Sequence, residues 1–280
     1  MTTIRLGIST CPNDTFAFDA LIERRVDWRG LRFEIRLMDI QHLNDGLFRG
    51  EFDVAKASFH AAIRLADQCV VLPSGSALGF GVGPLLLASE PGRVPQRGPG
   101  QRTLCPGSMT TAALLFELFY SGRTTVEHVL FSDIMSRLKN RNADFGVCIH
   151  EGRFTWQAEG LSLVEDLGAR WERETDCPLP LGGILATRTL SDETIATVQT
   201  VIRDSIETAR GNPMAAMPTM RRYAQEFDDD VLMKHVDLYV NDWTVDLGTT
   251  GQSALDRLSA MAVKCGMISS GSRLRVFGQH

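Results

Sequence analysis

The chain has 280 residues, 44% of them hydrophobic and 22% charged, the composition of an ordinary globular protein long enough to bury its own core. A net charge of −5, with no Lys/Arg cluster beyond pairs such as Arg24-Arg25 and Arg221-Arg222, offers no basic face for nucleic acid. No run approaches ~18 consecutive apolar residues, and the opening Met-Thr-Thr-Ile-Arg-Leu-Gly-Ile is not an export signal, so a cytoplasmic protein without membrane partners is expected.

Ile4 to Ser9 reads as a buried strand. The turn Cys11-Pro12-Asn13-Asp14 follows, with Asn13 or Asp14 the expected cap of a helix through Phe16 and Leu21. Leu31 to Met38 alternates as a strand, and Asp39 to Gly50 is helical in its spacing of Leu43 and Leu47. Val54 to Phe59 is a strand and His60 to Ala66 a helix. Val70 to Leu72 and Gly83 to Ala88 are further strands, separated by Gly75, Gly79, Gly81 and Gly83. The most linker-like stretch is Pro91 to Gly100. A second series of strands then starts at Thr103, Val126, Phe145, Leu161 and Gly183, with helices at Thr110 to Tyr120 and Asp133 to Lys139. From Ser191 the chain is helical, ending in a helix over Gly251 to Cys265.

Strands alternating with helices predict a parallel sheet with helices on both faces. At ~150 residues per domain the length allows about two domains. The expected arrangement is a two-lobed α/β fold, with residues 1–89 plus 187–280 in one lobe and 90–186 in the other. Such folds place ligand in a cleft between lobes, at strand ends and helix N-termini. Six cysteines, at 11, 69, 105, 148, 177 and 265, show no C-x-x-C spacing and read as buried free thiols.

His150 is the first candidate for chemistry. It follows the apolar run Phe145-Gly-Val-Cys-Ile149 and opens a polar turn at a strand's C-terminal end, where Glu151 or Arg153 would orient its neighbours. Histidine is suited to proton transfer near neutral pH. Position alone supports that role and a plain hydrogen-bonding turn residue equally. No second His or Cys lies nearby at ligand spacing, so no metal site is indicated. Pro106 to Ala112 opens an apolar helix whose N–H groups and hydroxyls, from Ser108, Thr110 and Thr111, suit an anion; a simple N-cap is the commoner use of such residues. Ser9 to Asp14 and Lys56-Ala-Ser58 have a similar character in the first lobe. Gly79, Gly81 and Gly83 lack the dinucleotide spacing, and there is neither a P-loop nor a G-x-S-x-G elbow.

Taken in order, Cys11-Pro-Asn-Asp-Thr-Phe16, Lys56-Ala-Ser58, Leu78-Gly-Phe-Gly-Val-Gly-Pro84, Thr110-Thr-Ala112, Ile149-His-Glu-Gly-Arg-Phe-Thr155, Asp166-Leu-Gly168, Pro178-Leu-Pro-Leu-Gly182 and Tyr239-Val-Asn241 cover nearly the whole chain. Together they resemble the 1,4-dihydroxy-6-naphthoate synthases of the futalosine route to menaquinone. The resemblance implies a type II periplasmic-binding-protein-like fold and a carbon–carbon lyase acting on cyclic dehypoxanthine futalosine, a small anionic substrate, with no metal or organic cofactor. It places the catalytic base at His150 and substrate contacts at Ser58, Thr110, Thr111 and the backbone of Leu181 and Gly182. Asn13, Asp14 and Asn44 line up with the same cleft. A homodimer is left open. Two readings compete: a small-molecule solute-binding protein, and a chorismate dehydratase of the same fold. The first lacks its export signal here, and the His-Glu-Gly-Arg-Phe-Thr run is not expected in the second.

Overall fold

The computed structural model describes residues 2–98, 100–149, 152–224 and 228–279. It divides into two compact units, Met1–Gly79 with Pro180–His280, and Phe80–Leu179.

The first unit starts with β1 (Thr3–Ser9), α1 (Pro12–Ala17), α2 (Asp19–Ile22), β2 (Arg32–Met38), α3 (Ile40–Phe48), β3 (Val54–Ser58), α4 (Phe59–Arg64), β4 (Cys69–Val71) and β5 (Ala77–Gly79). In β1 the residues Ile4, Leu6 and Ile8 lie on one face and are fully buried, as the period of two requires. Asp39 caps α3 by accepting from Gln41 N–H, and Ser58 caps α4 by accepting from Ala61 N–H. The first helix departs from expectation: Cys11, not Asn13 or Asp14, is its N-cap, and it makes no side-chain cap bond. Pro12 takes the first helical position, where its fixed φ and missing N–H cost nothing. Asn13 and Asp14 are thereby placed inside the first turn, with their side chains released for other partners.

The second unit contains β6 (Leu85–Ala88), β7 (Arg102–Pro106), α5 (Thr111–Tyr120), β8 (Thr125–Val129), α6 (Phe131–Lys139), β9 (Phe145–Cys148), α7 (Gly152–Thr155), β10 (Ser162–Asp166) and α8 (Leu167–Thr175). The chain returns to the first unit along β11 (Leu179–Thr187) and finishes with α9 (Asp192–Gly211), a 3-10 turn at Pro213–Ala216, α10 (Met217–Tyr223), α11 (Asp229–Tyr239), α12 (Asp242–Val245) and α13 (Gly248–Lys264).

Both sheets are mixed rather than parallel throughout. The first has the order β2-β1-β3-β11-β4, with β5 also paired to β11. Its β1–β2 and β1–β3 pairs are parallel, whereas β11 runs antiparallel to β3 and β4. The second sheet has the order β10-β6-β9-β7-β8. There β7 is parallel to β8 and β9, and β6 is antiparallel to β9 and β10. These two antiparallel strands also correct the expected crossings at 89/90 and 186/187. β6 pairs within the second sheet and β11 within the first, so the chain passes between units at Gly79–Phe80 and at Leu179–Pro180. Apolar strands of four to nine residues announce burial but not the sheet that will bury them.

In the first unit the core joins Ile4, Leu6, Ile8, Val54 and Ile184 from the sheet to the buried stripe Ile195, Val198, Val201, Ile202 and Ile206 of α9. Ser205 on that stripe donates to Ala17 O (2.9 Å) and accepts from Leu21 N–H (3.1 Å), which locks α1 and α2 onto α9. The second unit has its own core around Leu85, Leu87, Leu104, Ile134 and Leu138. No helix among the described residues is long and apolar enough to cross a membrane. Cys69, Cys105, Cys148 and Cys177 are buried, Cys11 is half-buried and Cys265 is exposed. Burial pushes the Cys69 thiol up to about 11 and that of Cys105 up to about 12, which keeps both protonated and unreactive.

Just after the first crossing, Gly83 lies against Gly168 at the start of α8. A Cβ on Gly83 would sit 2.1 Å from the Gly168 Cα, and a Cβ on Gly168 would sit 2.5 Å from the Gly83 Cα. The obstacle is backbone on both sides, so neither can yield by a rotamer change. Gly83→Ala is expected to destabilise the fold by ~1–3 kcal/mol, the usual cost of overpacking. It should be read as a lower urea midpoint at unchanged m-value.

Candidate active site

In the first unit the polar groups gather where β1 and β3 end. Lys56 occupies the middle of β3, a strand buried along its whole length. The lysine is 4% exposed and so is Asp14, to which its Nζ donates at 2.7 Å. A buried ion pair repays its desolvation only when further hydrogen bonds complete it. Here Lys56 Nζ also donates to Gly75 O at 2.9 Å, and Asp14 Oδ1 accepts from Asn13 Nδ2 at 3.1 Å. Gly75 has a φ of +94°, and a side chain on it would run into Ile184 at 2.4 Å, so only glycine brings this carbonyl to the ammonium. On its other side the Asn13 amide meets His235 of α11, with Oδ1 3.2 Å from Nε2.

Two residues along β3, Ser58 is bound reciprocally to Asn44 of α3. Asn44 Oδ1 accepts from Ser58 N–H at 3.1 Å, and Asn44 Nδ2 donates to Ser58 Oγ at 3.3 Å. Gly182 stands opposite Ser58 in the β3–β11 register. A Cβ on Gly182 would lie 2.6 Å from Ala57 O, so the close strand approach beside Ser58 depends on glycine. Asn13, Asp14, Asn44, Ser58 and Gly182 are all buried, while Leu181 is half-buried.

In the second unit, β7 ends at Pro106 and α5 starts at Thr111, so the expected strand–turn–helix is present. Thr110 is the N-cap: its Oγ1 accepts from Ala113 N–H at 3.2 Å and donates to Gly107 O at 3.3 Å. The capping role weighed for this residue is therefore realised. Thr110 and Thr111 are buried, and Ser108 is exposed. His150 and Glu151 lie outside the described residues. Arg153, in α7, has a side chain only 12% exposed, and its Nη2 donates to Gly81 O at 2.8 Å and stands 3.7 Å from Asp166 Oδ2. It is thus an internal tie to the glycine-rich segment after the crossing, not an outer-surface salt bridge. Its Nε and Nη1 are buried without a hydrogen-bond partner among the described residues.

The structure brings five of the expected contact residues together in the first unit and Thr110 with Thr111 in the second. Sequence reading passed over two groups, the Lys56 ammonium as the partner of Asp14 and the imidazole of His235. Each left a signal. A lysine flanked by alanines in a buried strand must find an anion. His235 shares the buried face of α11 with Leu232, Val236 and Tyr239, at helical spacing.

The profile of a family described as menaquinone biosynthesis matches residues 4–264. A 1,4-dihydroxy-6-naphtoate synthase from Thermus thermophilus is 40% identical over 273 residues, covering 98% of each chain. A 1,4-dihydroxy-6-naphtoate synthase from Streptomyces coelicolor is 36% identical over 271 residues, covering 95% of each. Among solved structures, a protein from Archaeoglobus fulgidus is similar with a TM-score of 0.88 at 32% identity, covering 95% of this chain and 98% of that one. The periplasmic aliphatic sulphonate binding protein SsuA from Escherichia coli has a TM-score of 0.65 at 11% identity, covering 100% of this chain and 95% of its own. That last likeness shows the fold alone, a two-lobed α/β fold of the periplasmic-binding-protein kind. With its profile matched from the first strand to the last helix and relatives aligned end to end, the chain belongs to the menaquinone biosynthesis family.

Proposed function

We propose that the protein is a 1,4-dihydroxy-6-naphthoate synthase, a cytoplasmic carbon–carbon lyase that converts cyclic dehypoxanthine futalosine in the futalosine route to menaquinone. The observation that carries this reading is the 40% identity, over 98% of both chains, to a relative bearing that name. The base takes a proton from the carbon beside a carbonyl to build an enolate. The bond to the sugar-derived carbon then breaks with its electron pair leaving on the sugar-derived fragment, which takes a proton back from the protonated base, and the ring is left as an aromatic diol. Aromatisation provides the driving force. His150 is the base in this proposal, and a neutral imidazole suits a proton transfer at neutral pH.

The chain's other residues bind and orient. Ser58 is held by Asn44 and by its place at the N-terminus of α4, so its hydroxyl has a fixed direction. Thr110 and Thr111 open α5, where backbone N–H groups and the helix dipole favour an anionic group such as the substrate carboxylate. Lys56, balanced by Asp14, contributes a positive group fixed within the strand that carries Ser58.

Incubation of the purified protein with cyclic dehypoxanthine futalosine, followed by mass spectrometry, is expected to show release of 1,4-dihydroxy-6-naphthoate. Retention of the compound unchanged would place the protein with solute binders instead.

A further inference from the structure

We propose that His235 is a positioning residue for the buried Lys56–Asp14 pair, acting through the side-chain amide of Asn13. Its kinetic consequence rests on the synthase reading above; its structural core does not.

Three contacts link the groups in series. Lys56 Nζ meets Asp14 Oδ1 at 2.7 Å, Asn13 Nδ2 meets the same Asp14 oxygen at 3.1 Å, and Asn13 Oδ1 meets His235 Nε2 at 3.2 Å. The direction of each bond follows from the one before it. Asp14, paired with an ammonium, offers its oxygen only as an acceptor, so the NH2 end of Asn13 turns toward it. That orientation leaves Oδ1 facing the imidazole, and a carbonyl oxygen only accepts. The hydrogen between them therefore belongs to His235, which is held with its proton on Nε2. Conversely, the imidazole N–H fixes the Asn13 amide and, with it, the second hydrogen bond on the oxygen that receives Lys56. His235 itself is 7% exposed and is braced by the Tyr239 ring, 4.6 Å away between centroids. An imidazole restrained on both sides sets geometry rather than following it.

Lys56 stands two residues before Ser58 on β3, hence on the same side of the strand. A displaced ammonium would alter the charge beside a residue proposed to hold substrate. The loss would fall on binding, which is expressed in KM, and not on the proton transfer assigned to His150.

Two measurements test the proposal. Long-range 1H–15N correlation at about pH 8, above the ordinary imidazole value of ~6.5, is expected to show His235 as the Nε2–H tautomer in the full-length protein. Because a free imidazole also favours Nε2–H, the informative change is from one tautomer to a mixture: Asn13→Ala should let a minor Nδ1–H population appear. In steady-state kinetics with cyclic dehypoxanthine futalosine, His235→Phe should raise KM about tenfold, as expected for one lost hydrogen bond in a charged network, with kcat changed less than about twofold. His235→Gln, whose Nε2 amide reaches the same place, should bring KM back to within about threefold of wild type. A merely structural role would reduce the active fraction, lowering kcat at constant KM, without rescue by glutamine. An Nδ1–H tautomer, or a KM unmoved in His235→Phe, overturns the proposal. Absence of turnover by the wild type would overturn the synthase reading and the kinetic arm, leaving the tautomer to decide whether His235 positions the pair.

Discussion

His150→Ala is expected to keep the fold and to lose turnover. General-base catalysis typically contributes ~10²–10⁴-fold, so kcat should fall by about that factor while substrate binding survives. The expectation is local and chemical. β9 delivers the chain to residue 148 at the C-terminal end of a buried strand, and α7 resumes at Gly152 with Arg153 tied to Gly81. The substitution removes the proposed base and leaves the residues of both described cores unchanged. Product measured by mass spectrometry should drop while the urea midpoint stays near that of the wild type. Turnover within a few-fold of wild type would sink the assignment of the base. Loss of both turnover and stability would mean that His150 is a structural turn residue, the alternative its position allows.

Lys56→Met is expected to be the most destabilising of the substitutions considered. The methionine matches the stem of the lysine but leaves the Asp14 carboxylate buried with its charge uncompensated. Removing one member of a buried pair costs ~3–5 kcal/mol, far above the worth of an exposed salt bridge. The double variant Lys56→Met with Asp14→Leu removes both charges and should recover most of that loss, because two apolar groups of similar size need no partner. Chemical denaturation of the wild type, the two single variants and the double variant gives the coupling directly. An unchanged midpoint in Lys56→Met would contradict the burial of the pair. Turnover separates the roles further: a double variant that is stable yet impaired shows that the pair serves the substrate, whereas a stable and fully active one shows a structural pair.

Much of the architecture was legible in the chain itself. The alternation of Leu31 to Met38, the spacing of Leu43 and Leu47 and the helical run after Ser191 are encoded in neighbours within one or two turns, and β2, α3 and α9 form where those signals stand. The turn from Pro106 to Thr111 was equally local. Other features depended on neighbours distant in sequence. Whether the apolar runs of β6 and β11 join the first sheet or the second, and in which direction, is set by pairing partners tens of residues away. Both were therefore misplaced by reading in chain order.

The site divides in the same way. By itself the sequence determined the residue types and the motif order that identify the family, including His150, Ser58, Thr110 and Thr111, because these follow from short runs at strand and helix ends. Only the tertiary structure decided that Asp14 faces Lys56, 42 residues on, and that Asn13 faces His235, 222 residues on. The reason is physical. Local propensity acts through backbone conformation over a few residues, whereas a buried charge is answered by whichever group the packed core brings within about 3 Å, the reach of a hydrogen bond.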